Sequence, residues 1–280
     1  MGNEMAISNF ETLPLAIAFC AIKRPVHSKE ADRIPVGKGS IQMGFLDFIF
    51  GGSEETQLKR HAKKVNNLNA QADERLASAQ WLAENQSEDA IAALLKRFSL
   101  TYEQRMKDSD EKQMIYQLLE SIGPQVAPAT KAWMKKNDQF AIPLGLIARF
   151  EGEEAKVTSL LELLGLEIDP FKPKKKEQIL LHLAKSKDQR IVERVPFCLK
   201  DFDEGVRYAA VEALAAQEND DCRASLAEAL GNPNEESNRF RCRIAEIFHQ
   251  RKWSLGEDAN LVAENPPTQF QVIGDKIQPA

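Results

Sequence analysis

"DFDEGVRYAAVEAL", residues 201–214, is the stretch whose reading decides the fold. It opens on an acidic turn, Asp201 to Glu204, that suits the start of a helix, where the backbone dipole favours negative charge. From there Val206, Ala209, Ala210, Ala213 and Leu214 return at helical spacing and share one face. Alanine at three of those positions lets a neighbouring helix approach closely, while Val206 and Leu214 fill the seam. Arg207 stands seven residues before Leu214, two helical turns away and on the same side.

The same Arg-to-apolar spacing recurs at Arg241 and Phe248, and the pattern also repeats at longer range. "SEDAIAALLKRF" (87–98) and "NDDCRASLAEAL" (219–230) align at an offset of 132 residues, matching Asp89 with Asp221, Ala92 with Ala224, Leu94 with Leu226 and Phe98 with Leu230. That offset also pairs Arg75 with Arg207 and Leu82 with Leu214. Spread over four units it gives roughly 33 residues per unit, the period of a helical-repeat array. Breaks at Asn, Asp, Gly and Pro divide the chain into helices expected over 54–69, 72–84, 88–98, 110–122, 124–135, 138–150, 153–165, 173–185, 188–200, 204–217, 220–230 and 236–252. Ser53 is placed to cap the first, and Pro128 and Pro143 fall inside two others, which they are expected to bend.

These residues resemble the HEAT-repeat family of armadillo-type solenoids. In 201–214 the likeness lies in the acidic turn, the Val-Arg opening of the second helix, and Ala and Leu at core spacing. "GPQVAPATKAWM" (123–134) is similar to the other half of a unit, with Gly before the helix and Pro within it. The resemblance covers about residues 54–253 and includes the shorter HEAT-like repeats named after phycobilisome lyases. The chain departs from the pattern at Pro143 and at "GNPNEESNRF" (231–240), where Asn replaces the signature Asp. The resemblance implies an all-α, right-handed α-solenoid of about six stacked antiparallel helix pairs. It further implies that Arg75, Lys112, Lys176, Arg207 and Arg241 pair with turn acids such as Asp201 and Asp203 in a ladder between units.

Composition fits a soluble globular chain: of 280 residues, 43% are hydrophobic and 28% charged. The net charge of −5 argues against wholesale phosphate neutralisation, so nucleic acid is not the expected partner. The apolar run at 13–22 is too short to span a membrane and lacks the basic flank of a signal peptide. Residues 1–42 read as an N-terminal extension. Lys38-Gly39-Ser40 can be encoded by a purine-rich ribosome-binding site, so Met43 reads as the native start. "FLDFIF" (45–50) is then expected to cap the first unit, because a terminal repeat must cover its apolar face. A HEAT-like array is expected over 43–253 and a mostly irregular tail over 254–280. Cys20, Cys198, Cys222 and Cys242 have no metal or disulfide spacing, and the four histidines share no ligand spacing. The cytoplasm is the expected location.

No nucleophile–base set, phosphate-cradling loop or metal motif is present, so no catalytic, cofactor or metal residues are assigned. The candidate partner-binding residues are Lys172, Lys174, Lys175, Lys176, Arg207 and Arg241. The lysines crowd a helix N-terminus, where the dipole disfavours cations, so helix stability does not explain them. The expected function is a non-enzymatic scaffold holding a protein partner on its curved helical face, an acidic one where the lysine run takes part. The HEAT-like resemblance also leaves open an enzyme on the same scaffold, bilin-lyase-like or DNA-glycosylase-like. A peripheral membrane adaptor using "FLDFIF" is the third alternative.

Overall fold

The structure is a computed structural model that describes residues 53–166, 173–217 and 220–280. The N-terminal extension, the "FLDFIF" cap and Lys172 lie outside the described residues. What is described is mostly helical, as an all-α chain requires. Twelve α-helices run between Glu54 and Arg251 among the described residues: α1 (Glu54–Val65), α2 (Ala72–Asn85), α3 (Glu88–Lys96), α4 (Arg105–Ile122), α5 (Val126–Met134), α6 (Leu144–Glu151), α7 (Glu153–Leu166), α8 (Pro173–Leu183), α9 (Gln189–Arg194), α10 (Glu204–Ala215), α11 (Arg223–Gly231) and α12 (Asn238–Arg251).

Local chemistry sets the starts of several helices. The side chains of Ser53, Ser87, Asp188, Asp203 and Ser237 each accept a hydrogen bond from a backbone N–H of the first turn. Each satisfies a donor that the helix itself leaves open. Gly123 ends α4 with φ of 104°, a conformation a β-carbon would strain. Several boundaries differ from expectation: α1 stops at Val65 rather than 69, and α11 starts at Arg223 rather than 220. Helix α4 begins at Arg105, about one turn and a half before the expected start. Pro143 does not sit inside a helix but is the N-cap residue of α6, and Pro128 occupies the third position of α5. At those positions neither proline removes a helical hydrogen bond, since first-turn N–H groups have no intrahelical acceptor to lose. Pro196 ends the expected 188–200 helix early and starts a 3₁₀ turn over Pro196–Lys200.

The buried residues form two clusters. One runs from Val65 to Leu146, the other from Met134 to Ile277, and Trp133 packs against both. The long-range repeat is reproduced in burial. Leu82 and Leu214 are both fully buried, as are Leu94 and Leu226, while Phe98 and Leu230 are buried at the matched position. Their counterparts Ala92 and Ala224, and Asp89 and Asp221, are exposed. Val206, Ala209, Ala210, Ala213 and Leu214 are all buried, as the alanine face requires. No described helix is long and apolar enough to cross a membrane.

The tail expected to be mostly irregular is ordered. It contains α13 (Ala259–Glu264) and an antiparallel hairpin of β1 (Phe270–Ile273) and β2 (Lys276–Pro279). The hairpin turns on the two residues Gly274 and Asp275, with Gly274 in the left-handed region that such loops need. Strand β2 packs on α12 and buries Ile277, so the tail covers the last helix of the series.

Cys198 and Cys222 are buried, and Cys242 is half-buried. Burial pushes the Cys198 thiol up to about 12, and raises Cys222 as well. Since the thiolate is the reactive form and burial limits access, an alkylating reagent should modify half-buried Cys242 before Cys198 and Cys222 in the native protein, even though burial raises the Cys242 thiol as well. Cys198 and Cys222 should label only on denaturation. Mass-mapped labelling checks this, and prompt native labelling of Cys198 would contradict the packing around it.

Candidate functional site

Four basic residues occupy the same helix position. Arg75, Lys176, Arg207 and Arg241 are each the fourth residue of their helix, and each precedes by seven a fully buried apolar residue, Leu82, Leu183, Leu214 or Phe248. Three of them clasp an acid. Arg75 donates from Nε and Nη2 to the two carboxylate oxygens of Glu111 at 3.0 and 2.9 Å, and from Nη1 to the Ala70 carbonyl. Arg207 repeats the arrangement on Glu235 at 2.8 and 2.9 Å, with Nη1 on the carbonyls of Asp201 and Phe202. Lys176 reaches the Asp201 carboxylate at 2.7 Å. Asp201 thus joins two rungs, its side chain taking Lys176 and its carbonyl taking Arg207. Two parallel N–H···O bonds fix direction as well as distance, so these pairs hold helices and turns in register.

The candidate partner-binding residues therefore do not form one free cationic surface. Lys174 is exposed, but Lys175 and Lys176 are buried, with the Lys175 ammonium 3.3 Å from the Lys135 carbonyl. Arg207 is half-buried and Arg241 buried. A periodic signal for this was present in the sequence. Lys175 and Lys176 lie four residues before Ile179 and Leu180, on the apolar stripe of α8. Lys112 stays within its own helix and pairs with Asp108 at 2.7 Å.

A second group was not singled out from the sequence. Arg97, at the end of α3, is fully buried. It donates to Glu111 at 3.0 Å, to Asp108 at 2.8 Å and to the Leu100 carbonyl at 3.0 Å. Burial alone would raise the carboxyls of Asp108 and Glu111. Hydrogen bonds from Lys112 and Arg97 to the first, and from Arg75 and Arg97 to the second, outweigh it and hold both below their ordinary range. The guanidinium carbons of Arg75 and Arg97 lie 5.1 and 4.9 Å from the centre of the Tyr102 ring. The Tyr102 hydroxyl is buried without a hydrogen bond, and that burial, with the charge of Glu111, raises its pKa.

Arg75 and Tyr102 of this cluster also line a surface concavity. A pocket of about 620 Å³ lies among the 68–72 turn, Arg75, Tyr102 and Lys107. It shares Ala72, Arg75 and Lys107 with a groove of about 340 Å³ between α2 and α4. The groove floor is apolar, with Leu76 and Met114 half-buried above buried Ala79 and Ile115. Asp73, Asp110 and Lys107 stand at its rim. Among the described residues no group of three or more His, Cys, Asp or Glu side chains is placed to hold a metal.

No curated protein matches the chain. Residues 206–232, from the first turn of α10 to just beyond α11, match the family model described as PBS lyase HEAT-like repeat. The match overlaps the 201–214 stretch that carries the HEAT-repeat resemblance, and it includes the helix of the Arg207–Glu235 rung.

Proposed function

We propose that the chain is a right-handed α-solenoid of about six HEAT-like helix pairs, acting in the cytoplasm as a non-enzymatic scaffold. Its packing order supports the solenoid reading, because contacts link helices one or two places apart: α1 with α2 and α3, α3 with α5, α8 with α10, and α10 with α12. Stacked units of this kind share one continuous core and offer a long side surface for binding.

The observation that carries the binding role is the α2–α4 groove. Its apolar floor is half-open, while the ion pairs behind it fix Arg75, Arg97 and Glu111 in place. A pre-set groove binds without the ordering cost of a mobile one. Asp73 and Asp110 outnumber Lys107 at the rim, so the segment that fits best carries an apolar side chain with basic flanks. An acidic partner, the expectation from the lysine run, would have to use Lys174 and other exposed cations.

Met114→Glu places a charge on the groove floor at a half-buried position, and the fold should survive it. The test compares proteins retained from native lysate by the parent and the variant, followed by titration of the retained partner. A loss of at least about tenfold in affinity is expected, a change of about 1.4 kcal/mol, with circular dichroism unchanged. Equal affinity for both chains would remove the groove from the binding surface. Recovery of nucleic acid in place of protein would overturn the scaffold reading.

A further inference from the structure

Arg241 occupies the same helix position as Arg75 and Arg207, yet its setting lacks their acid. In those two rungs the Nε and Nη2 edge of the guanidinium holds the two oxygens of a glutamate. At Arg241 the Nη2 group donates to one backbone carbonyl, that of Asn265, and Nε is buried with no partner. The side chain is only 7% exposed, and among the described residues no carboxylate lies within ion-pair distance of it. Burying an unpaired guanidinium is unfavourable, and an apolar side chain would fill the same space at lower cost. Packing therefore does not account for an arginine here.

We infer that the Nε–Nη2 edge of Arg241 is a carboxylate-binding site, with the Asn265 carbonyl occupying half of it until a carboxylate arrives. Three further features suit that ligand. Arg241 lies in the first turn of α12, a fourteen-residue helix whose N-terminal dipole adds positive potential. The covering segment is light: Asn265 and Pro266 are exposed. The chain is then anchored separately at Thr268, whose N–H and hydroxyl both meet the Asn238 side chain at 3.1 and 3.0 Å. Displacing the Asn265 carbonyl therefore leaves that anchor, and the hairpin beyond it, in place. The fitting ligand is a carboxylate presented edge-on, as Glu111 and Glu235 present theirs, either from an acidic side chain of a protein or from a small carboxylate anion.

The inference is independent of the α2–α4 groove. It is tested by the arginine Nε–Hε resonances of the ¹⁵N-labelled full chain, with Arg241 assigned by its disappearance in Arg241→Met. The probes are a blocked tri-glutamate peptide and sodium acetate, each added at constant ionic strength. The Arg241 resonance should move towards those of Arg75 and Arg207 and reach saturation, while theirs stay fixed. Tighter saturation by the peptide at equal carboxylate concentration identifies a protein acid as the ligand; equal saturation by acetate identifies a small anion. An Arg241 resonance that moves with neither probe overturns the site. Arg241→Met should also melt no lower than the parent, and a large drop would show that the guanidinium is structural. Met114→Glu should leave the Arg241 shift intact, so failure of the groove and failure of this site are read separately.

Discussion

Replacing Arg97 by methionine should destabilise the protein by about 3–5 kcal/mol, the usual cost of removing one partner from a buried ion pair. The loss comes from what is left behind. Asp108 keeps Lys112 and Glu111 keeps Arg75, but each loses its bond to the fully buried guanidinium between them. The stacking of Arg97 on Tyr102 disappears as well. The pH dependence separates this charge effect from simple loss of packing. Both carboxyls are held below their ordinary values in the folded parent. Their stabilisation is therefore complete above the unfolded carboxyl range and is lost as pH falls through it to the lower folded values. In the variant that source of stability is already reduced, so the gap between parent and variant should narrow from pH 7 to roughly pH 3.5. Urea denaturation at the two pH values measures it. A gap independent of pH would assign the loss to packing, and one below about 1 kcal/mol would contradict the burial of Arg97.

Leu214→Asp should cost at least about 4 kcal/mol, because it removes a fully buried side chain and places an unpaired charge in its space. Ala210 and Ala213 beside it are also fully buried, and close helix packing leaves no route for the carboxylate to reach water. The natural comparison is Glu212→Ala in the same helix. Sequence periodicity puts Glu212 on the solvent side, where truncation would change little. The structure places it half-buried in a two-bond pair with Arg243, at 2.6 and 3.1 Å. Truncation there should cost about 1 kcal/mol, well below the effect at Leu214. Equal effects in chemical denaturation would mean that the face assigned to Leu214 is wrong.

Much of the helical pattern was legible in the sequence because it is written in short-range periodicity. The alanine face of α10, the seven-residue step from Arg to a buried apolar residue, and the 132-residue echo of Leu82 in Leu214 each depend on residues within one helix or on repetition of it. The tail escaped because its strands are four residues each, too short for alternation to stand out, and the hairpin packs against α12, far back in the sequence. Pro143 misled because Pro excludes a helix interior but suits a helix start, and only the fold shows which applies.

The partners of the charges were decided by tertiary structure alone. Arg75 takes its acid from 36 residues ahead, Arg207 from 28 and Lys176 from 25, so no fixed spacing could name Glu111, Glu235 or Asp201. The same lack of a spacing rule hid Arg97 and Tyr102. The burial of Lys175 and Lys176 was legible in their four-residue step to Ile179 and Leu180, but the run of charge reads first as an exposed binding surface. Arg241 shows the limit most clearly: its place in the helix is fixed by the same local pattern as Arg207, and its missing acid by what packs across from it. Helical periodicity arises from bonds between residues three and four apart, and a sequence carries it directly. Charge pairing depends on distances between elements, which exist only once the helices have packed.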